Sequence, residues 1–377
     1  MPKKDRTREG AAAAPESSLF KDRYNPTAIA AMAEVIRKAY PGFDADGFVA
    51  SVVTDNFPRM EFKDRSRAIA RGLAVFLPKD FGNAVDILIR AAPGLGGFEN
   101  WAAITFIELY GLEHFDHSIR GLHALTRYST AESAIRPFMN RYLDRILPIL
   151  HRWADDPDDH VRRLAAEGSR PRGVWIAHID TFKKDPTPVI ELLEKLRADK
   201  SKYVRIAVAN NLNDISKDHP GVVVETALRW KADGNKDTDW IIRHACRSLI
   251  KGGDPRVFPI FGFTANPKLE VTGLKTPRGG VRIGQSAEFP FAVTSHGSKK
   301  QKLAIDYRLH FVKSTGKTSA KVFKLTEKVV APRETLTLRV RHSFADVSVR
   351  KHFPGAHRLE IVINGKPLAE VVFNVKR

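Results

Sequence analysis

Three stretches decide the architecture: 158-DDHVRRLAAEGS-169, 201-SKYVRIAVANNL-212 and 238-TDWIIRHACRSL-249. Each sets a branched apolar residue before an arginine and continues with small or apolar residues at helical spacing. The matched arginines, Arg162, Arg205 and Arg243, are 43 and 38 residues apart, close to the period of HEAT-type helical repeats, about 40 residues. At about 3.6 residues per turn, Val161, Leu164 and Ala165 pack inward in the first copy, Val204, Ala207 and Val208 in the second, and Ile242, Ala245 and Leu249 in the third. The outward rows are Arg163, Glu167 and Arg170, then Asn210 and Asp214, then His244, Ser248 and Lys251. Stacked repeats align such rows into one polar strip. Glu167 is the anomaly, because the later copies carry a small or neutral polar residue at its place.

Away from these copies, helical periodicity runs from about residue 24 to 260, as in "NPTAIAAMAEVIRKAY", "RSRAIARGLAVFL" and "TPVIELLEKLRAD". After Thr264 the pattern alternates instead. Seven segments, from "PKLEVTGLK" to "LAEVVFNV", read as strands separated by turns such as "PRGG" and "SHGSKK". "NGK", between "RLEIVI" and "PLAEVVF", reads as a two-residue hairpin. The expected fold is multidomain: a disordered leader over residues 1–20, an all-α HEAT-like repeat superhelix over 21–263, and an all-β immunoglobulin-like sandwich over 264–377. The leader, "MPKKDRTREGAAAAPESS", lacks the apolar core of a secretory signal. No apolar run reaches the roughly 18 residues of a membrane helix. A cytoplasmic monomer, nucleoid-associated when bound to DNA, is expected.

Net charge is +19, and its distribution is uneven. From Thr264 onward there are 22 Lys and Arg against 8 Asp and Glu; the first 263 residues hold 40 against 35. So lopsided a cationic excess points to a polyanion, nucleic acid ahead of an anionic membrane. The single cysteine, Cys246, sits on an apolar helix face and excludes an internal disulfide and a cysteine zinc cluster. "LEHFDH" places His114 and His117 near Glu113 and Asp116, but no third ligand cluster matches it. There is no P-loop, HExxH or zinc spacing, so neither metal nor cofactor is expected.

Each singled-out residue has a structural reading beside the functional one. Arg162, Arg205 and Arg243 suit ion pairs to acidic residues of the neighbouring repeat, with phosphate contact as the other option. Arg163, Arg170 and Arg172 suit phosphates better because they flank Glu167. Glu167 alone is a solvated charge paired with Arg163 or Arg170. Glu132 closes "STAE", a capping box with Ser129 as N-cap. Asp214 reads as a helix end, and Trp175 as a core anchor.

Taken together, "KDRYN…YPGFD…F", "STAESAIRPF", "DDHVRRLAAEGSRPRGVW" and "VRIAVANNLNDISKDHP" resemble the bacterial DNA alkylation repair glycosylases built on HEAT-like repeats, most closely the AlkC-type subfamily. The resemblance spans roughly residues 18–263, and some members of that subfamily append an immunoglobulin-like domain. It implies excision of 3-methyladenine, 3-methylcytosine and 1-methyladenine from duplex DNA without flipping the base into a pocket. It places the catalytic acidic residues on Glu132 and Glu167, the lesion-contacting aromatic on Trp175 and a further acidic residue on Asp214.

The residue types fit that chemistry. A base alkylated at a ring nitrogen is cationic and leaves without a general acid. The sugar then becomes oxocarbenium-like, and a carboxylate held against it stabilises the developing charge. Arginines and lysines hold the phosphates; the DNA-binding set is Arg163, Arg170, Arg172, Lys251, Lys299, Lys300 and Lys302, with Lys313 and Lys317 beside it. The alternatives are a non-catalytic HEAT-repeat DNA-binding or scaffold protein, and a protein-interaction solenoid that is merely basic. Carboxylates facing phosphates disfavour a plain binder, and steep salt dependence with DNA distinguishes the first two readings from the third.

Overall fold

The computed structural model describes residues 19–173, 176–347 and 350–377. The fold is a helical repeat region followed by an immunoglobulin-like β-domain, and the chain divides into two compact units between Asn211 and Leu212. The helices are α1 (Pro26–Ala39), α2 (Ala45–Val52), α3 (Phe62–Phe76), α4 (Phe81–Ala91), α5 (Gly97–Tyr110) and α6 (Phe115–Leu125). Then come α7 (Arg136–Arg141), α8 (Leu143–Trp153), α9 (Asp159–Gly168), α10 (Asp180–Lys184), α11 (Thr187–Leu196) and α12 (Lys202–Ile215). The last three are α13 (Pro220–Ala232), α14 (Lys236–Ala245) and α15 (Arg247–Gly252). Short polar side chains start several of them: Asn25, Asp44, Asp80, Asp158 and Asn235 each accept a first-turn N–H. No helix among the described residues is long and apolar enough to cross a membrane.

In the first unit α1 packs on α2 and α4, α3 on α5, α4 on α6, and α9 on α8 and α11. The inward residues read from the repeat, Val161, Leu164, Ala165, Val204, Ala207 and Val208, are all buried. Chain order already exists at Phe20, inside the stretch expected as a leader: its ring packs on Phe62 and Phe98.

The repeat arginines lock the seam. Arg162 is buried, with Nε 2.6 Å from Asp199 Oδ2 and Nη1 donating to the carbonyls of Asp156 and Pro157. Arg205 donates in the same way to the carbonyls of Asp199 and Lys200, six and five residues before it. One step earlier, His123 reaches Asp156 at 2.8 Å. Arg243 departs from the expected scheme: its acidic partner at 2.5 Å is Glu327 on a β-strand, not a residue of a neighbouring helical repeat, because the chain passes to strands after α15.

Among its described residues the second unit contains α13–α15 and eight strands: β1 (Leu269–Thr272), β2 (Val281–Arg282), β3 (Ser286–Ser295), β4 (Gln301–Val312), β5 (Thr318–Val330), β6 (Thr335–Ser343), β7 (Gly355–Ile363) and β8 (Lys366–Lys376). The seven expected strands are joined by β2, whose two residues are too few to show alternation. One sheet runs β1-β3-β6, the other β2-β8-β7-β4-β5. Phe289, Val293, Leu303, Leu309, Val340, Phe344, Leu359 and Ile361 fill the space between them. The β7–β8 turn is Asn364-Gly365, with φ of 46° and 81°, the two left-handed positions a tight hairpin requires. A side chain at Gly365 would meet Gly253 Cα at 2.6 Å, so glycine also allows the turn to sit on the end of α15. Cys246 is buried and its thiol is pushed up to about 12 by burial, as its core reading expects.

Three histidines, His342, His352 and His357, lie buried against Phe311 and Phe344 in the sandwich. Burial lowers all three, His342 to about 4. Below about 6.5 the unfolded chain takes up protons that these folded rings refuse, so stability drains from there down to the folded values. Asp306 opposes this, since burial raises it to about 6 and favours its protonated form as pH falls. With three groups against one, the urea midpoint of the β-domain transition in the full chain is expected to fall between pH 7 and pH 4.5. His342→Gln should flatten that slope; a wild-type midpoint independent of pH over this range would refute the account.

Candidate functional site

The site is built around one helix end in the first unit. Glu167 lies in the last turn of α9 and is only 8% exposed, so it is no solvated surface charge. Three buried side chains finish the helix where no glycine cap is present. Ser169 Oγ donates to Ala165 O at 2.8 Å, Asn211 Nδ2 to Ala166 O at 2.8 Å, and Arg136 Nη1 to Gly168 O at 2.9 Å. Arg136 is fully buried and also donates to the carbonyls of Arg170 and Ala177. Ile179 N closes the same loop onto Pro171 O at 3.1 Å. Trp175 lies outside the described residues, while the chain on both sides of it, at Arg170 and Ala177, is held by Arg136.

Glu132 is brought to Glu167 by Arg163. The Arg163 Nη2 is 2.6 Å from Glu132 Oε2 and 3.9 Å from Glu167 Oε2. Its Nη1 donates to Thr130 Oγ1, and Arg170 Nη1 pairs with Glu167 Oε1. The capping box expected at Ser129–Glu132 does not form. Residues 132–135 are a turn, α7 begins only at Arg136, and Thr130 Oγ1 rather than Ser129 accepts the Glu132 N–H, at 3.4 Å. The fork of Arg163 gathers Thr130 and Glu132 together, and Pro137 in the first turn fixes the later helix start.

Sequence reasoning missed Tyr203. The Arg163 guanidinium lies 5.0 Å from its ring centroid and His160 packs edge-on to it at 5.4 Å. Partial burial raises its phenol against the pull of Arg163, with Glu132 and Glu167 among the charges that act on it. Its only signal in the sequence is an aromatic residue directly before the packing Val204. Arg136 and Thr130 gave no signal, because their partners are backbone carbonyls and a guanidinium from distant repeats.

The other expected residues fall as follows. Asp214, in the second unit, is buried near the end of α12 with Lys217 Nζ 2.8 Å from Oδ1. Arg172 is half-buried, and Lys251, Lys299, Lys300, Lys313 and Lys317 are exposed. Lys302 is spent locally: its Nζ donates to Phe261 O at 3.0 Å and lies 4.8 Å from the Phe263 centroid. In "LEHFDH", His114 stacks on Phe81, Glu113 pairs with Arg141, and Asp116 with Arg145.

Removing the Arg136 guanidinium would strand the buried Gly168 carbonyl and take the donor from those of Arg170 and Ala177. Arg136→Met is expected to lower stability by about 1–3 kcal/mol, the cost of leaving a buried acceptor unsatisfied, read as a lower urea midpoint of the full chain. An unchanged midpoint would remove its role as the clamp of this loop.

Known families match the helical and the β regions separately. Residues 114–249 match the profile of the DNA alkylation repair enzyme family, and residues 270–377 that of the C-terminal Ig-like domain of the uncharacterised protein YhaZ. The chain is 38% identical over 356 residues to the uncharacterized protein YhaZ of Bacillus subtilis, covering 94% of this chain and 99% of that one. The alkylpurine DNA glycosylase AlkC of Pseudomonas fluorescens, solved bound to DNA containing an abasic site analog, superposes with a TM-score of 0.87 at 34% identity, over 95% of this chain and 99% of that one. The chain therefore belongs to the AlkC-type family of HEAT-like repeat DNA alkylation repair enzymes with a C-terminal immunoglobulin-like domain.

Proposed function

We propose that the protein is a DNA glycosylase that hydrolyses the N-glycosidic bond of cationic N-alkylated bases, with 3-methyladenine, 3-methylcytosine and 1-methyladenine as substrates, and without flipping the base out of the duplex. The observation that carries this reading is the gathering of Glu132 and Glu167 on the single guanidinium of Arg163. A non-catalytic DNA binder would gain nothing from two carboxylates set among arginines.

In the proposed reaction the electron pair of the C1′–N bond leaves with the base and neutralises its positive charge. No proton need be supplied. Positive charge passes to C1′ and the ring oxygen of the sugar, where Glu132 and Glu167 stabilise it. Water adds its oxygen to C1′ and gives a proton to one of these carboxylates. Asp214 serves as the third acidic residue. The face of Trp175 attracts the cationic base, an effect of about 0.5–2 kcal/mol that grows with desolvation.

Phosphates of the duplex compete with the carboxylates for Arg163 and Arg170, and Arg172, Lys251, Lys299 and Lys300 add further phosphate contacts. The repeat domain to residue 263 supplies the carboxylates, and the basic sandwich from 264 tracks the backbone.

Glu167→Gln and Glu132→Gln are each expected to slow base release from 3-methyladenine duplexes by about 100–1,000-fold, the size of losing one preorganised electrostatic group. Their affinity for abasic duplex should stay within a few-fold. Wild-type release rates in both variants would sink the mechanism. The double variant Lys299→Ala/Lys300→Ala should weaken duplex binding and lower the slope of log K against log salt by about 0.9 per lost phosphate contact. An unchanged slope would make that turn a bystander.

A further inference from the structure

Glu132 also borders a cavity of about 460 Å³, lined among the described residues by α3, α5, the turn before α7, Pro137 and the residues after Trp175. This volume falls within the range of small-molecule sites, about 300–1,000 Å³. The half-buried ring of Trp101 forms one wall and is held edge-on by Phe62 at 5.6 Å and 74°. Glu108 enters beside it, and Ser133 Oγ donates to its Oε2 at 3.1 Å, which leaves Oε1 to face other donors. Lys63 and Arg67 on α3 stand at the same cavity.

The lining specifies a ligand. An indole face accepts a flat conjugated ring by stacking. Two oriented carboxylates, Glu108 and Glu132, accept hydrogen bonds from exocyclic amino groups and favour a ring that is cationic or readily protonated. Cations beside them suit the phosphates of the strand from which such a ring has come. Phosphate alone would meet two carboxylates, and an aliphatic ligand would leave both without donors.

We propose that this cavity is a subsite for the excised base, and more generally for a free, planar, N-methylated aminoheterocycle. The inference rests on the glycosylase reading, which generates such a base beside Glu132 and requires it to leave before the abasic strand can be released. Trp101 and Glu108 take no part in bond cleavage; they hold the product beside Glu132.

The test uses the intact protein without DNA, titrated with free 3-methyladenine and followed by equilibrium dialysis and calorimetry. Saturable binding is expected, weakened at least 10-fold by Trp101→Ala and measurably by Glu108→Gln. In turnover assays, free 3-methyladenine should inhibit the wild type and lose potency against both variants, whose affinity for abasic duplex stays unchanged. Glu108→Gln is close to isosteric and keeps an acceptor for Ser133, so it stands as the test should Trp101→Ala fail to fold. Equal binding by wild type and Glu108→Gln, and by Trp101→Ala where it folds, would overturn the subsite. No binding by a wild-type protein that excises the base would also overturn it while leaving the glycosylase reading intact. Binding of the heterocycle by a protein that excises nothing would keep the subsite and end that reading.

Discussion

Arg163 holds two carboxylates at once, with Nη2 at 2.6 Å from Glu132 and 3.9 Å from Glu167. It is the charge partner of Glu132 and, together with Arg170, surrounds Glu167 with cations. The guanidinium also draws in Thr130 and lies against Tyr203, so it joins the turn before α7 to α9 and α12. Three segments of the first unit, the turn before α7, α9 and the start of α12, converge on this one planar group. Lysine in its place would offer a single point of charge and could not fork between Thr130 and the two acids.

How a repeat meant for packing produces such a site follows from helix geometry. Arg162 and Arg163 are neighbours in sequence but about 100° apart around α9. The first turns to the seam, where Asp199 and the Asp156 and Pro157 carbonyls absorb it; the second falls on the outward row with Glu167. His123 on Asp156 and Arg162 on Asp199 repeat the seam contact from one step to the next. That regularity sets the spacing of the row on which Glu167 stands, and Glu132 reaches it from the turn before α7. The loop after Glu167 is fixed differently, by Arg136, Asn211 and Ser169 satisfying carbonyls that a helix otherwise leaves open.

What the sequence made legible is what periodicity carries. The inward residues of the repeat, the strand region and the Asn364-Gly365 hairpin follow from local pattern, and all are found. Glu167 was visible as an odd carboxylate on a row, but its burial was not, because that depends on Arg163 and Arg170 folding over it. Glu132 carried a misleading local signal: a Ser-x-x-Glu string is a helix start only where nothing stronger competes, and here a guanidinium 31 residues away takes both Thr130 and Glu132. Lys302 looked like an exposed turn cation until Phe261 and Phe263 claimed its ammonium. In each case the error lies in long-range polar pairing, which has no period to read.

The same cluster explains why a proposed catalyst with carboxylates can sit in a protein of net charge +19. Glu132 and Glu167 with Arg163 and Arg170 sum to zero, so the free protein stores no repulsion there. In the proposed reaction, each arginine that turned to a phosphate would leave a carboxylate less compensated, and the local potential at the sugar would become more negative. A departing cationic base becomes neutral as the sugar becomes positive, so its transition state gains from that potential. An undamaged base would leave as an anion beside those same carboxylates and gain no equivalent stabilisation. In the proposed reaction, discrimination between alkylated and normal bases therefore comes from the sign of charge on the leaving group, and a tight pocket around the base is not required for it.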